Sequence, residues 1–312
     1  MKTKLLSIGM LTFVLGLASC NLDNDPDENF SQLSFSNVCN LVIPSDGDAF
    51  TTRGNYQLTY YTTQGTCSLM GSGFATGVGA FSTTAMTCNI QNYTNGQQLF
   101  QVVRFSGGQR ADSSMPVISN LEGYSSQLVN LPPAEPLISP YPGPATYTLP
   151  LVLQYTQNDD MTVKTFMPDA IYTGKTTILT PSTGKKFDND EMSYRVYMSN
   201  DLQKADVIMY NAKFDEGMPF ALQAVVLEGL KVSYNKNGYT VSIDNADGIT
   251  PKMFMNGKLI EYEMYNFTNF TLDNTSNDLT RAGITYTVLN TMSQTQYLGT
   301  FSGSYIVPEP AN

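Results

Sequence analysis

The side chains able to do chemistry are few. The chain has no His and no Trp, four Cys, 27 acidic and 17 basic residues. Without His, neither a Ser-His-Asp nor a Cys-His nucleophile can be assembled, and His-ligated metal sites are excluded. Acidic clusters occur at Asp159-Asp160, at Asp188-Asn189-Asp190-Glu191 and from Asp244 to Asp247. Paired carboxylates are the apparatus of glycoside hydrolysis, yet these stand beside Asn and Gly, where acids serve turn geometry. Asp23, Asp25 and Asp27 have the alternate spacing of a calcium loop but lack its later Gly and Glu. Gly71-Ser72-Gly73 and Gly77-Val78-Gly79 lack the Lys-Ser/Thr pair of a phosphate loop. The residue types therefore predict a protein that is not an enzyme and that holds no cofactor and no metal.

The remaining chemistry belongs to cysteine. Cys20 follows Lys2, Lys4, an apolar run from Leu5 to Leu17, and Ala18-Ser19. This is the pattern of a lipobox, in which diacylglycerol is joined to the Cys thiol and a signal peptidase cuts just before it. The apolar run is shorter than the roughly 20 residues that span a bilayer. Residues 1–19 are thus expected to be a lipoprotein signal peptide, with Cys20 as the lipidated (diacylglycerol, palmitate) anchor to a membrane. Losing that peptide removes two Lys and no acid, so the formal charge moves from −10 to −12. That balance argues against a nucleic-acid partner. Residues 20–31, including Asn21-Leu22-Asp23-Asn24-Asp25, are too polar to pack and form an acidic flexible tether. Three Cys remain in the folded part. Export permits disulfides, and Cys67 and Cys88, on strand-like runs, are the candidate pair; buried free thiols are the alternative reading.

The elements that position these residues are strands. Thr, Ser, Asn, Tyr and Gly abound while only 14% of residues are charged, a balance favouring strands and turns. The chain also repeats: Leu41 to Phe50 matches Ile178 to Phe187, and Tyr56, Leu58 and Tyr60 fall on Tyr194, Val196 and Met198. Cys67, Leu69 and Phe74 fall on Val207, Met209 and Phe214, and Thr146-Tyr147-Thr148-Leu149 on Thr285-Tyr286-Thr287-Val288. Shifts drifting by only a residue or two divide the mature chain into two related modules, 32–170 and 171–308. Each carries about eight strand-like runs. The expected fold is all-β, two tandem antiparallel β-barrels, with β-sandwiches as the alternative.

Asn237-Gly238 and Asn256-Gly257 are strong two-residue hairpin signals. With Asn237 and Gly238 central, Tyr234 faces Val241, and Leu230, Val232, Tyr234, Tyr239, Val241 and Ile243 share one face. The second hairpin places Met253, Met255, Ile260, Tyr262 and Met264 together. An apolar ligand inside the second barrel would therefore meet Tyr234, Met253, Met255, Tyr262 and Met264, thioethers adapting to its shape. The stretch from Leu131 to Tyr147 holds six Pro around Tyr141, which predicts a stiff loop within the first module.

The runs Tyr172-Thr173-Gly174-Lys175, Lys204 to Met209, Val226 to Leu230 and Phe301-Ser302-Gly303-Ser304-Tyr305 resemble the calycin-like (lipocalin-type) domains of Bacteroides-type lipoproteins. The resemblance covers 171–308 directly and 32–170 through the repeat, and it carries no functional residues with it. It implies hollow or filled β-barrels and an acidic stretch after Cys20 that directs export to the cell surface. The expected protein is an outer-membrane lipoprotein that binds a small apolar ligand or acts as an accessory binding protein. A structural or adhesive surface protein with filled barrels, or a glycan-binding partner of an uptake system, is the alternative.

Overall fold

A computed structural model describes residues 30–61, 64–74, 77–95, 98–128, 141, 151–275 and 279–305. Cys20, the signal peptide, residues 20–29 of the expected tether and the repeat match at 146–149 lie outside them, while Phe30 and Ser31, expected in the tether, begin the first strand. Twenty strands form two closed barrels. In the first, β1 (Phe30–Pro44), β2 (Phe50–Tyr61), β3 (Thr66–Ser72), β4 (Phe81–Asn95), β5 (Gln98–Ser106), β7 (Ile118–Leu128), β8 (Leu151–Gln157) and β9 (Met161–Phe166) pair in succession. The short β6 (Gln109–Arg110) lies on β4. Closure comes from β9 on β1, with Val42 opposite Val163.

The second barrel repeats this plan with β10 (Asp169–Thr180), β12 (Ser193–Met198), β13 (Lys204–Ala212), β14 (Leu222–Asn235), β15 (Gly238–Ser242), β18 (Tyr265–Asn274), β19 (Arg281–Asn290) and β20 (Thr295–Tyr305). It closes by β20 on β10. β11 (Lys185–Asn189) and β12 pair with successive halves of β10 and together take the place of β2. Both barrels are eight-stranded up-and-down meanders, the architecture of lipocalins, in which closure leaves no free edge in the eight-stranded wall.

The repeat positions are core positions. Tyr56, Leu58, Tyr60, Cys67 and Leu69 are buried in the first barrel, and Tyr194, Val196, Met198, Val207, Met209 and Phe214 in the second. Inward-facing residues must alternate along every strand of a barrel, so this spacing survives while the loops change. The second interior is filled by rings: Tyr194 lies 4.5 Å from Phe301, Phe214 5.1 Å from Tyr265, and Phe270 stacks on Tyr286 at 6.5 Å. Gly299 makes room for this packing, because a Cβ there would run into the Tyr286 ring.

One hairpin register differs from expectation. Tyr234 pairs with Tyr239 and Asn235 with Gly238, so Lys236 and Asn237 are the central turn residues. Asn235 Oδ1 accepts the Asn237 and Gly238 N–H groups at 2.7 and 3.1 Å and sets this turn. Gly238 serves a close approach instead, since a Cβ would collide with the Asn274 carbonyl on β18. The slip is by two residues, and the inward face is unchanged.

Candidate functional site: a groove outside the first barrel

The five side chains expected to line a ligand cavity are not gathered at one place. Tyr234 lies at the far end of β14, its hydroxyl donating to the Leu202 carbonyl at 2.7 Å. Met253 pairs its strand with Val225, nine residues back along β14, or about 30 Å at ~3.3 Å per residue. The hairpin of β16 (Lys252–Met255) and β17 (Lys258–Glu261) turns at Asn256-Gly257, both at positive φ as this turn requires. It is not part of the barrel wall, because β17 pairs only with β16. Met255 and Ile260 are exposed at 42% and 43%, while Met253, Tyr262 and Met264 pack against the edge of the core. Alternation shows which residues share a face, not what that face meets.

The opposite hairpin face, with Phe254 and Leu259, packs on the outside of the second barrel over Ile208, Tyr210, Ala224 and Val226. Tyr141 of the Pro-rich stretch joins the same cluster. It is buried, its hydroxyl donates to Asp206 Oδ2 at 2.9 Å, and its ring meets Tyr197 edge-on at 5.6 Å. Beneath it Arg195, 1% exposed, donates from Nε and Nη2 to Asp169 at 2.7 and 2.6 Å. At Tyr141, then, the first module grips the second instead of facing solvent.

A second contact joins the barrels. Cys39, Leu41 and Phe166, on the outer face at the β1–β9 seam, belong to the core cluster of the second barrel. Phe166 lies 5.3 Å from Tyr239 and 6.1 Å from Tyr234. Burial pushes the Cys39 thiol up to about 11, which keeps it protonated and unreactive at neutral pH. Cys67 and Cys88 are unbonded buried thiols in the structure. Among the described residues no group of three or more His, Cys, Asp or Glu is placed to hold a metal ion.

The groove that sequence reasoning missed lies on the outer wall of the first barrel. Thr87 and Asn89 alternate with inward-facing Met86 and Cys88, and Arg104 and Ser106 alternate with inward-facing Phe105. With Glu122 and Tyr124 of β7, Val152 and Gln154 of β8 and Lys164 of β9 they line a concavity of about 600 Å³. A second, of about 370 Å³, continues it past Ser106, Glu122 and Gln154 to Gly107, Gly108 and Asn120. Its depth has a local cause: the β7–β8 register shifts between Ser119 and Glu122, with Asn120 at φ 50°. Such a bulge bends its strand and re-aims neighbouring side chains. The Arg104 guanidinium lies over the Tyr124 ring at 5.2 Å, which fixes its fork in place. The groove crosses five strands, or about 19 Å at ~4.8 Å per step. Chemically it offers two cations, one carboxylate, amides, hydroxyls and a ring, a binding surface with no nucleophile–base pair.

No protein-family model matches the chain, and no curated protein sequence matches it. Among solved structures it is similar to a protein of unknown function from the DUF3598 family of Nostoc punctiforme, with 7% identity, TM-score 0.23, 88% of this chain covered and 95% of that one. It is also similar to a mutant of the vaccine antigen transferrin binding protein B from Haemophilus parasuis, with 6% identity, TM-score 0.24, and 90% and 78% covered. Neither likeness bears on function here. The lipocalin-like assignment of both barrels rests on their own strand order.

Proposed function

We propose that the chain is a non-enzymatic, lipid-anchored outer-membrane lipoprotein, exposed at the cell surface, that acts as an accessory binding protein through the groove of its first barrel. The groove carries this reading. A closed barrel has no strand edge to offer an extended peptide, so recognition there must come from side chains, and Asn89, Gln154, Thr87 and Ser106 suit the hydroxyls of a glycan. Tyr124 supplies a ring and Arg104 a charged donor. Binding of a small apolar molecule inside the second barrel requires the rings of Tyr194, Phe214, Tyr286 and Phe301 to move apart, and for that reason it is the lesser reading. A structural or adhesive role is the competitor from another class; it would use Phe220 and Met292, exposed at 68% and 77%.

Two measurements test the proposal. Arg104→Ala is expected to weaken binding of uronate-containing oligosaccharides by about tenfold or more, the worth of a charge-assisted hydrogen bond, with the protein still folded. Calorimetry that finds no binding of either neutral or acidic oligosaccharides to the wild-type protein sinks the groove. Separately, Cys20→Ser is expected to release the mature chain from the membrane fraction and to abolish labelling by a fatty-acid analogue. A labelled variant, or an unlabelled wild type, removes the anchor.

A further inference from the structure

We propose that Cys67 and Cys88 are joined by a disulfide, formed on export, that staples β3 to β4 beneath the groove wall; the location of this step rests on the exported reading above. The two strands pair with Thr66 opposite Thr87 and Cys67 opposite Met86, and the Cys88 N–H donates to the Gly65 carbonyl at 2.8 Å. Cys67 and Cys88 therefore stand on the same inward face, diagonally across the ladder and two residues out of direct opposition. The ladder shifts register between Cys67 and Leu69, where β4 carries the extra residue with Ala85 at φ 55°, a bulge that raises the local twist of the pair. Both side chains belong to the same buried cluster inside the first barrel, and Cys67 Sγ lies 3.8 Å from the carbonyl of Thr87, the residue next to Cys88. Diagonal neighbours on such a ladder stand about 7 Å apart at Cα, at the far end of what a disulfide spans. Cys39 is not on this hairpin, and in the folded chain it lies on the outer face of β1, across the wall from the pair and against the second barrel. The odd cysteine count thus resolves into one pair and one permanent thiol.

Either thiol can open the reaction. One of the two, as its thiolate, attacks the disulfide of a thiol oxidoreductase, forming a mixed disulfide and expelling one thiolate of the oxidant. The other, on losing its proton, displaces the second. The new S–S bond takes shape as two protons leave and two electrons reduce the oxidant's disulfide to a dithiol. At 2% and 8% exposure both sulfurs are inaccessible once the barrel closes, so the reaction belongs to the β3–β4 hairpin before closure. The bond encloses the glycine-rich stretch from Gly71 to Gly79 and limits its freedom in the unfolded chain. It also anchors the backbone between Thr87 and Asn89, two residues of the groove wall.

The test uses mature protein from the membrane fraction, quenched with an alkylating reagent and digested. The expected result is a linked Cys67–Cys88 peptide, with Cys39 carrying alkyl label only after unfolding. Reduction should lower Tm by roughly 5–10 °C, an effect abolished in Cys67→Ser/Cys88→Ser and retained in Cys39→Ser. Three labelled thiols after quenched unfolding, or a linked peptide containing Cys39, overturn the pairing. Cell fractionation reads the location independently: protein found only in the cytoplasm removes export. In that case refolding in a glutathione-disulfide buffer decides the pairing by the same peptide map, free thiols overturning it.

Discussion

Replacing Asp169 with Ala is expected to cost about 3–5 kcal/mol of stability, seen as a lower denaturant midpoint at unchanged slope. Arg195 is the reason. Its side chain is 1% exposed and its guanidinium makes two parallel bonds to Asp169, at 2.7 and 2.6 Å. An Arg cannot discharge by losing a proton, so without the carboxylate a full charge stays out of water under Tyr141 and Tyr197. The Tyr197 ring, 5.6 Å from the guanidinium carbon, offsets only part of this. Asp169→Ala/Arg195→Met should recover most of the loss, because a buried pair replaced by apolar groups of similar volume is close to neutral. A loss below about 1 kcal/mol in the single variant would mean that water reaches Arg195. The same contact sets where the second barrel begins in any dissection of the chain: a fragment starting at 171 discards Asp169, and one starting at 167 should be the more stable by a similar amount.

Much of the fold was legible because a barrel imposes a simple rule on sequence. Positions such as Tyr56 and Tyr194, or Leu69 and Met209, point inward in both copies, and a period of two keeps them recognisable. The Asn256-Gly257 turn was legible because its positive φ values suit those residues. The Asn237-Gly238 turn was misread because its signal has two causes: Asn235 makes the turn, and Gly238 is small for the sake of a neighbouring strand. Placing Met255 on an inner face failed for a different reason, since periodicity within a hairpin carries no information about whether the hairpin joins the wall. The groove was invisible because its residues run from Thr87 to Lys164 on five strands and its depth depends on one bulge at Asn120. Arg195 gave a faint local hint of its own, as a lone charge in the apolar run from Tyr194 to Met198.

Phe166→Ala is expected to cost about 3–5 kcal/mol, the usual loss for a buried aromatic truncated in a core, and to divide one unfolding transition into two. Phe166 belongs by sequence to β9 of the first barrel, yet it is 1% exposed among residues of the second. It closes the barrel end where the Tyr172 and Tyr239 hydroxyls meet at 2.9 Å and the Asn274 amide donates to Tyr239 at 3.2 Å. Removing the ring opens a cavity above this polar network and lets water reach it, so the damage falls on the second barrel although the substitution is in the first. Leu41 and Cys39 beside it are too small to fill the gap. With the seam weakened, and the Tyr141 contact and the Arg53–Asn200 hydrogen bond at 3.4 Å among the bridges left, the barrels should then melt separately by calorimetry, while Phe166→Leu, which keeps most of the volume, should retain a single transition at a cost below about 1.5 kcal/mol. If Phe166→Ala leaves one transition and costs less than about 1 kcal/mol, the two barrels are held together at Tyr141, and the β1–β9 seam contributes contact without coupling.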